Sequence, residues 1–343
     1  MDETMDSVKT PQQSAEDLLS TAPSYMTYSH VKYRLKQLFN SSLVAAVLLC
    51  LVVIFSIVTP TFLSQENIAT VFDSVAVIAT LSVGQAFVII TAGIDLSQGA
   101  VVAISGVIGA AAMVHGGILL GIVVFLAIGV GVGLFNGILV AFTKVPAFIV
   151  TLGSLSICSG GALLFTGGEP IYNLPSALVS FGTGSFFAVF PYIILVTIIV
   201  AFLGQVLLGM TRFGRSVYAI GSNHTAAMLS GLSVRKSIVL VYLISGVLSA
   251  IGGLMLTAYV NTALPTAGSN FELDAIAAVV IGGGSLFGGQ GSVWAATLGA
   301  LLLSVLSNGT QLLGMSSYAQ ILILGIVVIG AVYVDSFRKR AGI

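Results

Sequence analysis

Charge is what this chain most lacks: only 7% of its 343 residues are Asp, Glu, Lys or Arg, against roughly 25% in soluble domains. With 57% hydrophobic residues and a mean hydropathy of +1.10, it cannot cover a water-facing surface, so its main solvent is lipid. Cysteine is almost missing. Cys50 and Cys158 both lie in apolar runs, where a thiol serves as a small hydrophobe, and no disulfide is expected. His30, His115 and His224 stand in separate segments without ligand spacing, so no metal site is expected. No lysine after Lys9 follows a glycine, which excludes a Gly-Lys-Ser/Thr phosphate loop and ATP hydrolysis by that route. The run Gly129-Val130-Gly131-Val132-Gly133 follows no strand and is not a dinucleotide fingerprint. Gly129, Gly133 and Gly137 instead lay a smooth stripe along one helix face, against which a neighbouring backbone can pack closely. No His/Asp/Glu or Cys/His constellation of an enzyme is present, and neither a cofactor nor a nucleic-acid partner is expected.

What is there is a series of apolar runs: 43–59, 67–90, 97–114, 118–142, 147–165, 190–209, 237–260, 272–284, 291–310 and 318–334. The first begins too deep, behind a tail carrying Pro11 and Pro23, to be a cleavable signal, and it reads as a retained transmembrane helix. Threading ten crossings from an inside N-terminus puts Lys32, Arg34, Lys36, Lys144, Arg212, Arg215, Arg235, Lys236, Arg338, Lys339 and Arg340 all inside. Glu66, Glu169 and Glu272 fall outside. The positive-inside rule then has no exception, which supports an even crossing number, ten in preference to eight, with both termini cytoplasmic.

Two glycine breaks interrupt these runs. One run ends in Gly93 and resumes at Gln98-Gly99-Ala100-Val101; another ends in Gly282-Gly283-Gly284 and resumes at Gln290-Gly291-Ser292-Val293. They have the form of parallel repeats, by duplication or by chance. Unpaired backbone in lipid costs several kcal/mol per group, so such breaks survive only against protein or a wet cavity. Gly93, Asp95, Ser97, Gln98, Gly283 and Gln290 are therefore the candidates for a translocation path and its gate. Asp95 is the sharpest of them, since an exposed carboxylate in mid-bilayer costs about 2.5 to 3.5 kcal/mol. It either caps the following helix at the cytoplasmic interface, with Ser97 as the other capping candidate, or moves with gating, or takes part in a proton relay with Asp73. Glu169 lies in a long, aromatic outside loop, as a solvated acid or as an ion-pair partner of an extracytoplasmic protein. Asn261, Glu272 and Asp274 share its side of the membrane and would form an acid-bearing rim.

The stretch from Met210 to Lys236 is a hydrophilic island with four bases and no acid between long apolar runs. Ser222 or Asn223 can cap a helix of about two turns through Ala226-Ala227-Met228-Leu229, which Gly231 can end in the left-handed conformation. Isolated helices need roughly 12 to 15 residues to persist in water, so a partner's surface is expected to hold this one.

The letters resemble a known family. Gly93-Ile94-Asp95-Leu96-Ser97, Val145-Pro146-Ala147-Phe148-Ile149-Val150-Thr151-Leu152-Gly153, Thr166-Gly167-Gly168 and Phe213-Gly214-Arg215 with Ala219-Ile220-Gly221-Ser222-Asn223 are similar to the ribose-type permeases of bacterial ABC importers. Ala277-Ala278-Val279-Val280-Ile281-Gly282-Gly283 and Gly288-Gly289-Gln290-Gly291-Ser292 continue the match, which runs from about Leu43 to Val334. Gln98 and His224 depart from the family's usual letters. The resemblance implies an all-α polytopic membrane protein of about ten transmembrane helices, of the type II, vitamin B12-importer kind, in the bacterial cytoplasmic (inner) membrane. A permease domain over 43–334 would lie between cytoplasmic tails at 1–42 and 335–343, with a coupling loop over 210–236. It further implies a second permease subunit, identical or different, a cytoplasmic ABC ATPase and a periplasmic sugar-binding protein that would meet Glu169, Asn261 and Glu272. Gly214, Arg215, Gly221, Asn223, Ala226, Ala227 and Gly231 would belong to the loop that meets the ATPase. A monosaccharide is the expected cargo, with branched-chain amino acids or nucleosides as the sister alternative. A secondary transporter or channel working without an ATPase is the rival class.

Overall fold

A computed structural model describes residues 44–187 and 189–340. The expected tail over 1–42, with Lys32, Arg34 and Lys36, lies outside the described residues, as do the side chains of Arg338, Lys339 and Arg340. The helices run in the order α1 (Val44–Val58), α2 (Gln65–Ile90), α3 (Gln98–Gly116), α4 (Ile118–Phe142), α5 (Ala147–Thr166), α6 (Ser176–Thr183), α7 (Tyr192–Met210), α8 (Arg212–Ser222), α9 (His224–Leu229), α10 (Val234–Val260), α11 (Phe271–Ile281), α12 (Val293–Leu312) and α13 (Ser317–Arg340). A two-residue hairpin, β1 (Ser185–Phe186) and β2 (Phe190–Pro191), pairs antiparallel between α6 and α7.

Seven of these helices, α2, α3, α4, α5, α7, α10 and α12, are long and apolar enough to cross a membrane. Their burial runs opposite to their hydropathy. The most apolar helix, α4, has a mean hydropathy of 2.8 and only 22% of its span buried, whereas α2, at 1.8, is 94% buried. A protein dissolved in lipid has this inside-out order, because the outer face must match acyl chains while the interior can hold polar groups that find partners. Helix α2 is thus the axis of the bundle, with α7, α10, α11 and α12 packed around it. Ser64 opens it by accepting a hydrogen bond from the Asn67 amide at 3.3 Å, and Glu66 complements the dipole of its first turn.

Helices α3 and α4 form an antiparallel pair turned at Gly117, whose φ of +86° suits glycine. The glycine stripe of α4 meets α10 as its spacing suggests. A Cβ on Gly246 would lie 2.3 Å from the Gly129 carbonyl oxygen, and one on Gly137 would lie 2.8 Å from the Val239 Cα. The two backbones are in contact, and a side chain between them would force them apart.

All ten apolar runs contain helix, but not always as whole spans. The run 272–284 is helical only over Phe271–Ile281, about 16 Å of rise against a hydrocarbon core of about 30 Å. The island 210–236, expected to hold one short helix, holds α8 as well, because Val217 and Ile220 turn into the bundle and make its face amphipathic. Helices α8 and α9 mark one end of the bundle, called here the α9 end. Gly117, the hairpin and the loop 261–270 lie towards the opposite end.

Candidate functional site

The first break is a return path. Helix α2 ends at Ile90, the chain turns through Ala92 with φ at +61°, and residues 91–97 run back without helical structure until α3 begins at Gln98. The depth of that beginning is set by its partners. Gln98 Nε2 donates to the Leu81 carbonyl at 3.2 Å and to Ser245 Oγ at 2.9 Å. Leu81 lies about 13 Å along α2 from Ile90, and Ser245 about 16 Å along α10 from Val234. Helix α3 therefore starts well inside the bundle.

Around that start stands a polar network centred on Asp95, which is only 2% exposed. Its Oδ1 accepts from the Ser97 amide at 2.9 Å and from Ser97 Oγ at 2.6 Å, and its Oδ2 accepts from Ser245 Oγ at 2.6 Å. Asn136 Nδ2 donates to Ser97 Oγ at 2.9 Å, and Ser154 Oγ donates to Asn136 Oδ1. Each serine beside Asp95 thus donates to the carboxylate and accepts from an amide, so the donors all point one way and end on Asp95. The network joins α3, α4, α5 and α10. Asp95 bonds Ser97, the residue before α3, within the bundle, and the Ser97 side chain does not cap the first turn of α3. Sequence reasoning missed Asn136, Ser154 and Ser245. Asn136 carried a signal, as the one amide in the apolar run 118–142; a serine in a helix carries none.

The second carboxylate is Glu272, expected on an exposed rim. It is buried instead, 9% exposed, with its carboxylate set against Gly99 in the first turn of α3. A Cβ on Gly99 would lie 2.3 Å from Glu272 Oε2 and 2.2 Å from the Gly268 carbonyl oxygen. The loop 261–270 therefore descends into the bundle and starts α11 beside the start of α3. Helix α3 and the short α11 begin side by side, with Asp95 and Glu272 beside their N-termini. The physical reason for the correction is that an acid beside two helix N-termini is better held inside than a rim position suggests. Of the other rim candidates, Glu169 and Asn261 are exposed at the opposite end, with Asn261 left-handed at φ +57°. Asn261 lines a cleft of about 480 Å³ with Tyr172, Asn173, Ser180 and Thr262.

The second break, between α11 and α12, lies at the α9 end and touches the first. The Gly289 N–H donates to the Ile90 carbonyl at 2.9 Å, so the last turn of α2 is bonded to the loop 283–291. Gly283, Gly288 and Gly289 all have positive φ. Gln290, a path candidate, has an exposed side chain, while its carbonyl accepts from the Ser285 amide at 3.1 Å. Gly93 packs beneath Tyr242, whose Oη would lie 2.6 Å from a Cβ placed there. Gly221, in the last turn of α8, closes over the junction: its Cβ would lie 1.7 Å from the Ile90 carbonyl oxygen and 2.6 Å from the Gly289 nitrogen.

Beyond Gly221, Asn223 Oδ1 accepts from the Ala226 amide at 2.9 Å and caps α9. Gly231 follows at φ +78°, the left-handed stop expected of it. Ala227 is buried against Ile220 and Val234, whereas Asn223, Ala226, Met228 and Leu229 are exposed. Gly214 is buried within the first turn of α8, its amide bonded to Thr211 Oγ1 at 3.1 Å, and Arg215 is exposed. Arg235 covers the Phe142 ring at 5.4 Å.

Seven apolar spans, two glycine breaks in contact with each other and a short helix with an exposed apolar pair define a polytopic helical membrane protein of the transporter type. The family described as "Branched-chain amino acid transport system / permease component" matches residues 67–332, and the chain belongs to it. It is 41% identical to the ribose import permease protein RbsC of Bacillus subtilis (strain 168), over 86% of this chain and 91% of that protein. It is 35% identical to the D-allose transport system permease protein AlsC of Escherichia coli (strain K12), over 86% and 91%. The galactose/methyl galactoside import permease protein MglC of Salmonella typhimurium is 36% identical, over 85% and 93%. No solved structure matches the chain.

Proposed function

We propose that this chain is the permease subunit of an ATP-driven ABC importer for a monosaccharide. It sits in the bacterial cytoplasmic membrane with both termini inside, in a type II arrangement of about ten crossings. Helix α1, helix α13 and the element formed by 261–270 with α11 complete the seven longer spans. Two permease subunits enclose the path, a periplasmic sugar-binding protein delivers the cargo, and a cytoplasmic ATPase grips the loop 210–236.

The observation that carries this reading is α9, a helix of six residues with Met228 57% and Leu229 81% exposed, in a chain whose relatives import sugars. An apolar pair on a helix too short to be stable alone supports a protein partner at that surface. Lys144, Arg212, Arg215, Arg235 and Lys236 are exposed around it, which supports a cytoplasmic setting for the α9 end. A neutral cargo suits the interior: Asp95 is already engaged by the protein's own hydroxyls and an amide.

Switching the path from about 1:99 to 99:1 between its two states requires roughly 5.5 kcal/mol of differential binding, which the ATP-bound partner supplies through α9. Proteoliposomes carrying the chain, the ATPase that copurifies with it and a sugar-binding protein test the proposal. Uptake of D-ribose, D-allose or D-galactose should require ATP and all three components. Uptake by the chain alone under an ion gradient would overturn it in favour of a secondary transporter.

A further inference from the structure

Helix α8 touches both breaks at once, through Tyr218, Gly221 and Ser222. Tyr218 Oη donates to the Gly291 carbonyl at 2.7 Å, on the α12 side of the loop 283–291. One turn further on, Gly221 lies so close to the Ile90 carbonyl and the Gly289 nitrogen that no Cβ could be placed between them. Ser222 continues the contact, its Oγ lying 2.6 Å from where a Cβ on Gly289 would be. Directly after Ser222, Asn223 caps α9.

The mechanical consequence follows from stiffness. Helix α8 is a continuous helix whose Val217 and Ile220 are buried, so its last turn moves as a unit. The loop 283–291 contains Gly283, Gly288 and Gly289 at positive φ and has no helical ladder of its own, so it is the compliant side of the contact. A displacement of α9 reaches the last turn of α8 first. From there it can pass to α2 by the close packing at Gly221, and to α12 by the Tyr218 hydroxyl.

We infer that Tyr218 is a positioning residue that ties the loop gripped by the ATPase to the α11–α12 break, so that one motion at α9 shifts both broken joints together. This rests on the ATP-driven reading above. It adds to that reading the route by which force leaves α9: Gly221 bears on Ile90 and on Gly289 by contact, and Tyr218 adds the hydrogen bond that reaches the α12 side of the loop.

Tyr218→Phe removes the hydroxyl and keeps the ring, so the fold is retained. Hydrogen exchange is followed in nanodiscs that hold the chain with its copurified ATPase, with and without ATP and vanadate. In the unaltered protein, exchange should change on nucleotide binding in peptides covering 223–231 and 283–291 alike. In Tyr218→Phe the change at 223–231 should remain, while that at 283–291 should fall about fivefold, the equivalent of one hydrogen bond of about 1 kcal/mol. D-ribose taken up per ATP hydrolysed should fall with it. An unchanged nucleotide response at 283–291 in Tyr218→Phe overturns the inference and leaves the importer reading standing. No response at 223–231 in the unaltered protein overturns the importer reading itself, and the inference with it.

Discussion

Ser245 in α10 donates its hydroxyl to Asp95 at 2.6 Å, and so pins the return path between α2 and α3 to the helix that follows α9. The same hydroxyl accepts from Gln98 at 2.9 Å. The carboxylate is a hub on which three hydrogen bonds converge, and its substitutions should separate by how many of those bonds survive.

Asp95→Asn keeps one acceptor oxygen, and its amide can donate to Ser245 if that hydroxyl reverses. Asp95→Ala leaves the Ser97 amide and two hydroxyls without an acceptor in a buried site, where each unsatisfied group costs about 1 to 3 kcal/mol. The alanine variant should be the less stable by at least about 2 kcal/mol in detergent unfolding. Asparagine should insert and assemble normally. Equal stability of the two would show that the network does not hold the break. Lost uptake by the asparagine variant with normal assembly would assign Asp95 to gating.

A second polar clamp offers a cleaner number. Asn67 Nδ2 donates to Asn308 Oδ1 at 3.0 Å and Asn308 Nδ2 returns a bond to Asn67 Oδ1 at 2.8 Å, joining α2 to α12. A double-mutant cycle with alanine at both positions should give a coupling of about 0.6 to 1.7 kcal/mol, the range found for hydrogen bonds between membrane helices. Strict additivity of the two single changes would refute the clamp.

If α9 is the proposed ATPase contact, its variants should fail without the bundle failing. Ala227 is 4% exposed among Ile220 and Val234, so Ala227→Arg forces α9 off its seat. Gly231 stands at φ +78°, and Gly231→Val places a β-branched residue where it is strained by roughly 1 to 2 kcal/mol. Both variants should reach the membrane and unfold near the normal temperature, yet lose most ATP-driven uptake. Full uptake by either would remove α9 from the mechanism.

Topology can be read chemically. Thr225 is exposed on α9, and of the two cysteines Cys158 is buried while Cys50 is exposed. In a Cys50→Ser background, Thr225→Cys should react with a membrane-impermeant maleimide in inverted vesicles and stay unlabelled in intact cells. Labelling from outside intact cells would reverse the orientation and end the importer proposal.

Much of this was legible in the letters. The α9 helix follows from Asn223 as a cap, good helix formers after it and Gly231 as a left-handed stop, all local matters of backbone preference. The glycine stripe of α4 could be read as a smooth face, since spacing alone puts Gly129, Gly133 and Gly137 on one side. Other features were not legible. Helix α8 was hidden in a polar island because its buried face consists of Gly214, Val217 and Ile220, too few apolar letters to register as a run. Glu272 was read as a rim acid because sequence cannot show that 261–270 dips into the bundle. Tyr218 gave no signal at all, since a tyrosine near an interface is ordinary.

The sequence by itself determined that lipid is the main solvent, that a short helix ends at Gly231 and that the α4 glycine face can meet a neighbouring backbone, because these follow from composition and local conformational preference. Tertiary structure alone decided that the two breaks meet at Ile90 and Gly289, that Asp95 and Glu272 answer neighbouring helix starts, and that α8 bears on both joints. The contacts between the breaks join residues tens to hundreds of positions apart, many of them through backbone carbonyls and amides that no letter distinguishes.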